Sequence, residues 1–395
     1  MVYLSLQNYE TNGKYIFWMN IFITFSIKYF HTPMPKRFVV VVCLLGVGLL
    51  SSMLIRFVRE NAEKEKALTT TFRNSLPKMK GVNWVAGDSI TENQLTYLKT
   101  NNIEWIAQTP FGWQAAYNLP EIKMNTKASR AYWGESDRGI VYTTRLAKKF
   151  GIKTLLKPHL WLRDRSGKWL GDIDMQNESQ WQEWFKYYRT FILHYAKLAQ
   201  AEEIEAFCIG TELHKTAVTH EADWRKLIKE IRQVYPGKLT YAANWYLEYE
   251  QIKFWDALDF IGIQAYFPLT KKHNPSLQEL KKGWQNHLPA IEKIAKKYNK
   301  PIVFTEAGYK NTTDAAIEPW AWPKRGETNL ENESAETQAS CYEALFQSVW
   351  QKSWFSGMFI WKWYPKVRDN NRDHRDFTPQ HKPAEKTLAT WYGKD

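Results

Sequence analysis

The sequence is short of cysteine. Three in 395 residues, Cys43, Cys208 and Cys341, are odd in number and far apart, so they build neither a disulfide framework nor a metal motif. Each reads as a small buried hydrophobe. His, Cys and Asp are nowhere clustered at ligand spacing, so neither a metal nor a cofactor is expected. Acids are outnumbered, with 41 Asp and Glu against 54 Lys and Arg and a net charge of +13. Such an excess can serve nucleic acid or an anionic membrane surface. Here the lysines are spread along helix-like segments such as "LKKGWQNHLPAIEKIAKKYNK", between apolar residues at helical spacing. They read as a solvated face, and no nucleic-acid partner is expected.

The run at 38–55, "FVVVVCLLGVGLLSSMLI", is uncharged between Arg37 and Arg56. Its length reaches about 27 Å as a helix, close to the bilayer core. No small-x-small cleavage site follows, and "VVVC" lacks the small residue expected before a lipidated cysteine. This predicts an uncleaved transmembrane signal anchor, with the remainder exported to a periplasmic or extracellular space. Residues 1–37 form an N-terminal extension, and Met34, followed by "PKR" and the hydrophobic run, begins what reads as a complete signal, so 1–33 are an upstream piece not always translated. The charged stretch 56–79 reads as a juxtamembrane linker, and 80–395 as the folded domain.

Aromatic residues are abundant. They make up 15% of the chain and include 20 Trp, more than packing requires, which suggests flat stacking surfaces for a ligand such as a sugar.

From residue 81, short apolar runs alternate with stretches of helical period. The runs lie at 81–86, 103–111, 152–162, 204–210, 238–245, 259–267, 301–309 and 357–364. Between them Trp184, Tyr188, Phe191, Tyr195 and Leu198 form one helical stripe, and Trp224, Leu227, Ile228, Ile231 and Val234 another. Thr91 followed by Gln94, and Asn274 followed by Pro275, mark helix starts. Eight such units predict an α/β fold, a (β/α)₈ TIM barrel, closed by a last helix in "KPAEKTLATWY".

In that barrel the ends of the strands face the substrate cleft. "FCIGTELHK" places Glu212 at the end of the fourth strand, and "IVFTEAGYK" places Glu306 at the end of the seventh. Two carboxyls across a barrel mouth suit glycosidic hydrolysis, which needs one protonated acid for the leaving oxygen and one carboxylate on the other side of the anomeric carbon. Their separation, which selects retention or inversion, is not in the sequence.

The motifs "GVNW", "KPHLWL", "IGTEL", "FTEAGY", "FIWKWYP" and "FTPQHKPAEKTLATWY" resemble those of clan A retaining glycosidases, and within them glycoside hydrolase family 113, a family of endo-β-1,4-mannanases. The resemblance covers nearly all of 80–393. It implies that Glu212 is the general acid/base, Glu306 the nucleophile, and Tyr266 a hydrogen-bond donor to Glu306. It further implies that Trp361 floors the sugar at the cleavage point. The clan usually carries Asn before the acid/base, to bind the sugar 2-hydroxyl, where this chain has the shorter Thr211.

Further candidates for the cleft are His159 and Lys157 on one face of the third strand, Asn244 and Trp245 at the end of the fifth, and Trp361 with Trp363 on one face of the eighth. Trp84, Trp113 and Trp161 sit near strand ends and are candidates for outer subsites. Packing or a structural ion pair is the alternative for each. The expected activity is hydrolysis of a β-linked polysaccharide, most of all β-1,4-mannan, by a monomer held to a membrane. A clan A glycosidase on another β-glycan, or a barrel that binds glycan without cleaving it, are the competing readings. Ionised Glu306 and protonated Glu212 predict a bell-shaped pH profile.

Overall fold

The computed structural model describes residues 51–53, 55–60, 77–85, 87, 89–124, 133–322, 330–366 and 375–394. The chain divides into two units, Met1–Ala67 and Leu68–Asp395. In the first, residues 51–53 and 55–60 are helical. Most of the expected membrane segment at 38–55, Cys43 and much of the expected linker lie outside the described residues. Among the described residues no helix is long and apolar enough to cross a membrane.

The second unit contains strands β1 (Met79–Trp84), β2 (Trp105–Gln108), β3 (Phe111–Gln114), β4 (Ile122–Met124), β5 (Lys153–Leu156) and β6 (His159–Leu162). They are followed by β7 (Ala206–Thr211), β8 (Lys238–Asn244), β9 (Ile261–Gln264), β10 (Ile302–Ala307) and β11 (Phe355–Trp363). Eight of them close a barrel in the order β1-β2-β5-β7-β8-β9-β10-β11, and every neighbouring pair is parallel. Helices stand outside the ring, as a (β/α)₈ barrel requires.

The two faces of the strands explain the near-continuous apolar runs. Inward residues, including Trp105, Leu155, Cys208, Phe260, Val303 and Phe359, pack into the barrel core. Outward residues meet the helices, where Trp184, Tyr188, Phe191, Tyr195, Trp224, Leu227, Ile228 and Ile231 are buried as their stripes predict. Cys208 and Cys341 are free and buried.

Two runs are not single strands. Pro110 ends the second run and Pro158 the third, since proline has no N–H for the ladder. Beyond each proline the chain resumes as β3 and β6, which pair in parallel, with β4 antiparallel on β3. This accessory sheet carries Trp113 opposite Trp161. Helix starts follow the caps: Thr91 and Gln94 bond at Glu92, whereas the helix expected from Asn274 begins at Leu277, capped by Ser276 and Glu279.

Candidate active site

Glu306 lies within β10, one residue from its end, opposite Gln264 of β9. Glu212 directly follows β7. The pairing of β7 with β8 shifts by one residue between Cys208 and Thr211, a bulge of the kind that re-aims a side chain at a barrel rim. Glu212 then adopts a positive φ of 53° while its N–H bonds to Ala242 O at 2.9 Å. Gly210 has a separate reason to be glycine: an added Cβ would stand 2.7 Å from Trp224 and 2.8 Å from Tyr241.

Glu306 is gripped on both oxygens. The Lys157 ammonium donates to Oε1 at 2.5 Å and the Tyr266 hydroxyl to Oε2 at 2.8 Å. Lys157 is closed to solvent and Glu306 only 4% exposed. A buried carboxylate with a cation and a phenol on it is compensated as a charge, which suits an anion that attacks rather than an acid that donates. The His159 Nε2 stands 3.9 Å from the same Oε1 and has no hydrogen-bond partner among the described residues. Burial, together with the Lys157 charge, pushes the imidazole well below its ordinary pKa, so it is neutral.

Glu212 has the opposite environment. Burial and the Glu306 charge raise its carboxyl to about 7. Its one side-chain partner among the described residues is Asn244 at the end of β8, whose Nδ2 donates to Oε1 at 2.8 Å. The amide cannot be reversed without losing a second contact, because Asn244 Oδ1 accepts from the Tyr246 N–H at 2.8 Å. The two carboxyls thus stand in different surroundings: Glu306 between a cation and a phenol, Glu212 beside a single neutral amide.

The aromatic candidates separate into several groups. Trp361 stays at the site, half-buried, with Lys157 Nζ 5.8 Å from its ring centroid. Trp363 does not share that face: it is fully buried and packs on Tyr97 of the helix Glu92–Thr100, with centroids 5.4 Å apart. One extra residue in β11 between the partners of Val82 and Trp84 breaks the period-two alternation and turns Trp363 to the helix layer. Trp84 is likewise core. His159 and Trp161 belong to β6 and so to the accessory sheet, not to the third barrel strand. There His159, Phe111, Trp113 and Trp161 form a continuous aromatic wall, with successive ring contacts of 5.5–6.5 Å and Trp161 exposed. Next to Asn244, Trp245 stacks on Trp320 at 5.1 Å. Thr211 is buried, with its hydroxyl near Cys208 Sγ.

Sequence pattern alone offers Lys157 to a structural ion pair as readily as to the cleft, and it marks neither Glu248 nor Trp320. Glu248 and Trp320 lie in stretches without strand or helix periodicity, where no pattern marks them. Among the described residues no group of His, Cys, Asp and Glu is placed to hold a metal.

Similarity to known proteins extends over the whole barrel. The family model described as Glycoside Hydrolase Family 113 matches residues 79–382. A solved GH113 β-1,4-mannanase is 28% identical, with a TM-score of 0.68 over 81% of this chain and 100% of its own. The GH113 β-mannanase AaManA from Alicyclobacillus acidocaldarius, in complex with ManMIm, is 27% identical over 80% of this chain and 97% of its own, also at 0.68. A β-glucuronidase from Ruminococcus gnavus, 14% identical with a TM-score of 0.51 over 80% of this chain and 49% of its own, shares the fold. No curated protein sequence matches. The chain belongs to glycoside hydrolase family 113 and is a glycoside hydrolase.

Proposed function

We propose that the protein is an endo-acting β-1,4-mannanase working with retention of configuration through Glu212 and Glu306. The observation that carries the reading is the asymmetry of the two carboxyls: Glu306 takes an ammonium from Lys157 and a hydroxyl from Tyr266, while burial raises Glu212 to about 7. In the first step a Glu306 oxygen attacks the anomeric carbon as the glycosidic C–O bond breaks, and Glu212 passes its proton to the departing oxygen. In the second step Glu212, now a carboxylate, takes a proton from water. The water oxygen displaces Glu306 from the anomeric carbon, and both carboxyls return to their starting states.

Endo action is supported by aromatic surfaces beside both carboxyls. The wall from His159 to Trp161 starts at Glu306, and the Trp245–Trp320 stack adjoins the partner of Glu212. Mannan as substrate is supported by the mannanase structures that the chain resembles at 26–28% identity. The hydrophobic run at 38–55 supports a membrane-held enzyme with its barrel exported. Carbonate extraction of membranes and protease access to the barrel test that placement.

The functional test is product release from β-1,4-mannan by the full chain, with the anomer of the first product followed by NMR. Internal cleavage giving the β-anomer, lost in Glu306→Ala, is the expected result. An α-anomer would overturn retention, and activity confined to another β-glycan would overturn the substrate.

A further inference from the structure

A third carboxyl stands behind the acid/base, and nothing in the two-step reaction uses it. Glu248 is fully closed to solvent. It opens the four-residue helix Glu248–Gln251, which together with the turn Phe254–Ala257 replaces a full crossover helix between β8 and β9. The chain enters it through Leu247, a non-glycine residue at φ 61°. Glu248 Oε2 accepts from the Asn244 N–H at 2.6 Å, and Asn244 is the residue whose amide holds Glu212. Glu248 Oε1 is 2.5 Å from the Tyr241 hydroxyl, which in turn accepts from the N–H of Leu213, the residue after Glu212, at 2.7 Å. Two paths therefore run from one buried carboxyl to Glu212, one to its side chain and one to its backbone.

We propose that Glu248 is the positioning residue of the acid/base, fixing through Asn244 and Tyr241 the direction in which Glu212 delivers its proton. The inference rests on the assignment of Glu212 as proton donor. A buried carboxyl is a costly brace where an amide or a hydroxyl could fill hydrogen bonds more cheaply, so its placement between two contacts to one residue calls for a reason in that residue. The backbone of Glu212 is in a conformation that side-chain-bearing residues seldom adopt, and the Leu213 N–H to Tyr241 bond lies immediately next to it. The charge of Glu248 is also suited to the task. Burial, with a contribution from Glu212, raises its carboxyl to about 8, opposed by the Tyr241 and Asn244 contacts. Glu248 thus sets no second negative charge beside Glu212 at acid pH.

The test exploits the leaving group. A mannooligosaccharide needs the Glu212 proton to depart, whereas a 2,4-dinitrophenolate departs without it. In the full chain, Glu248→Ala is expected to lower kcat/KM on β-1,4-mannooligosaccharides by roughly 100-fold, while kcat/KM on 2,4-dinitrophenyl β-mannobioside changes by less than about threefold. Glu248→Gln keeps an acceptor for the Asn244 N–H and the same side-chain shape beside Tyr241, with an amide nitrogen in place of the oxygen that accepts from the Tyr241 hydroxyl, and should restore the oligosaccharide rate to within about tenfold of the parent. Tyr241→Phe removes only the hydroxyl on the backbone path, and serves as the second variant if Glu248→Ala folds poorly. It should show the same selectivity between substrates with a smaller loss. An equal fall on both substrates, or no fall on either, overturns the inference. A parent chain inactive on both substrates overturns the glycosidase reading beneath it.

Discussion

The Lys157 ammonium lies 2.5 Å from Glu306 Oε1 with both side chains almost closed to solvent. Each is the other's main compensation for burial. Replacing Lys157 by Met leaves a carboxylate in a dry site with only Tyr266 and is expected to cost about 3–5 kcal/mol of stability. Calorimetry should show a lower Tm, and mannan cleavage should fall below a hundredth of the parent rate if Lys157 holds the nucleophile, by roughly the size of the effect of losing one charged contact at a reacting group. An unchanged Tm would mean that the pair contributes nothing to folding.

Tyr266 touches the other oxygen of Glu306. Tyr266→Phe removes one hydroxyl and should lower kcat by about 10-fold to 100-fold with a stability change near 1 kcal/mol. The comparison of kcat with Tm separates a role in the reaction from one in packing.

The pH dependence follows from Glu212. With its carboxyl raised to about 7, the protonated form is present below that pH, so kcat/KM should decline as pH rises through about 7. A profile measured on oligosaccharide that stayed flat to pH 9 would remove Glu212 from the role of acid.

Stability should share the direction. Glu212 and Glu248 bind their protons more tightly when folded than an exposed glutamate, whose ordinary pKa is 4.5, reaching about 7 and about 8. The folded state therefore loses stability as pH rises from 4.5 through these values. Thermal unfolding at a series of pH values should show Tm falling over this window, and falling less steeply in Glu248→Gln.

Trp361 and Trp363 should respond differently to the same change. Trp363→Ala opens a hole against Tyr97 and is expected to cost about 3–5 kcal/mol with KM little altered in the protein that remains folded. Trp361→Ala should leave Tm close to the parent and impair catalysis. If Trp363→Ala raised KM with no loss of stability, the buried position of its ring would be contradicted.

The sequence by itself determined the barrel and the placement of the two acids. Eight apolar runs alternating with helical stretches bury two faces well as a closed parallel ring with helices outside, and in such a ring a carboxyl at the C-terminal end of a run emerges at the mouth. Glu212, Glu306 and Tyr266 were legible because each ends or follows a strand, where period and position coincide. What tertiary structure decided was everything that depends on a break in period or on residues distant along the chain. Pro110 and Pro158 turned two strand ends into an accessory sheet, and one extra residue in β11 sent Trp363 to the helix layer, because alternation holds only while the ladder is unbroken. Lys157 and Glu306 are 149 positions apart, and Glu248 reaches Glu212 through Asn244 and Tyr241. Hydrogen bonds and ion pairs of this sort form between whichever groups the closed barrel brings within about 3 Å, and no local pattern of residues encodes that distance.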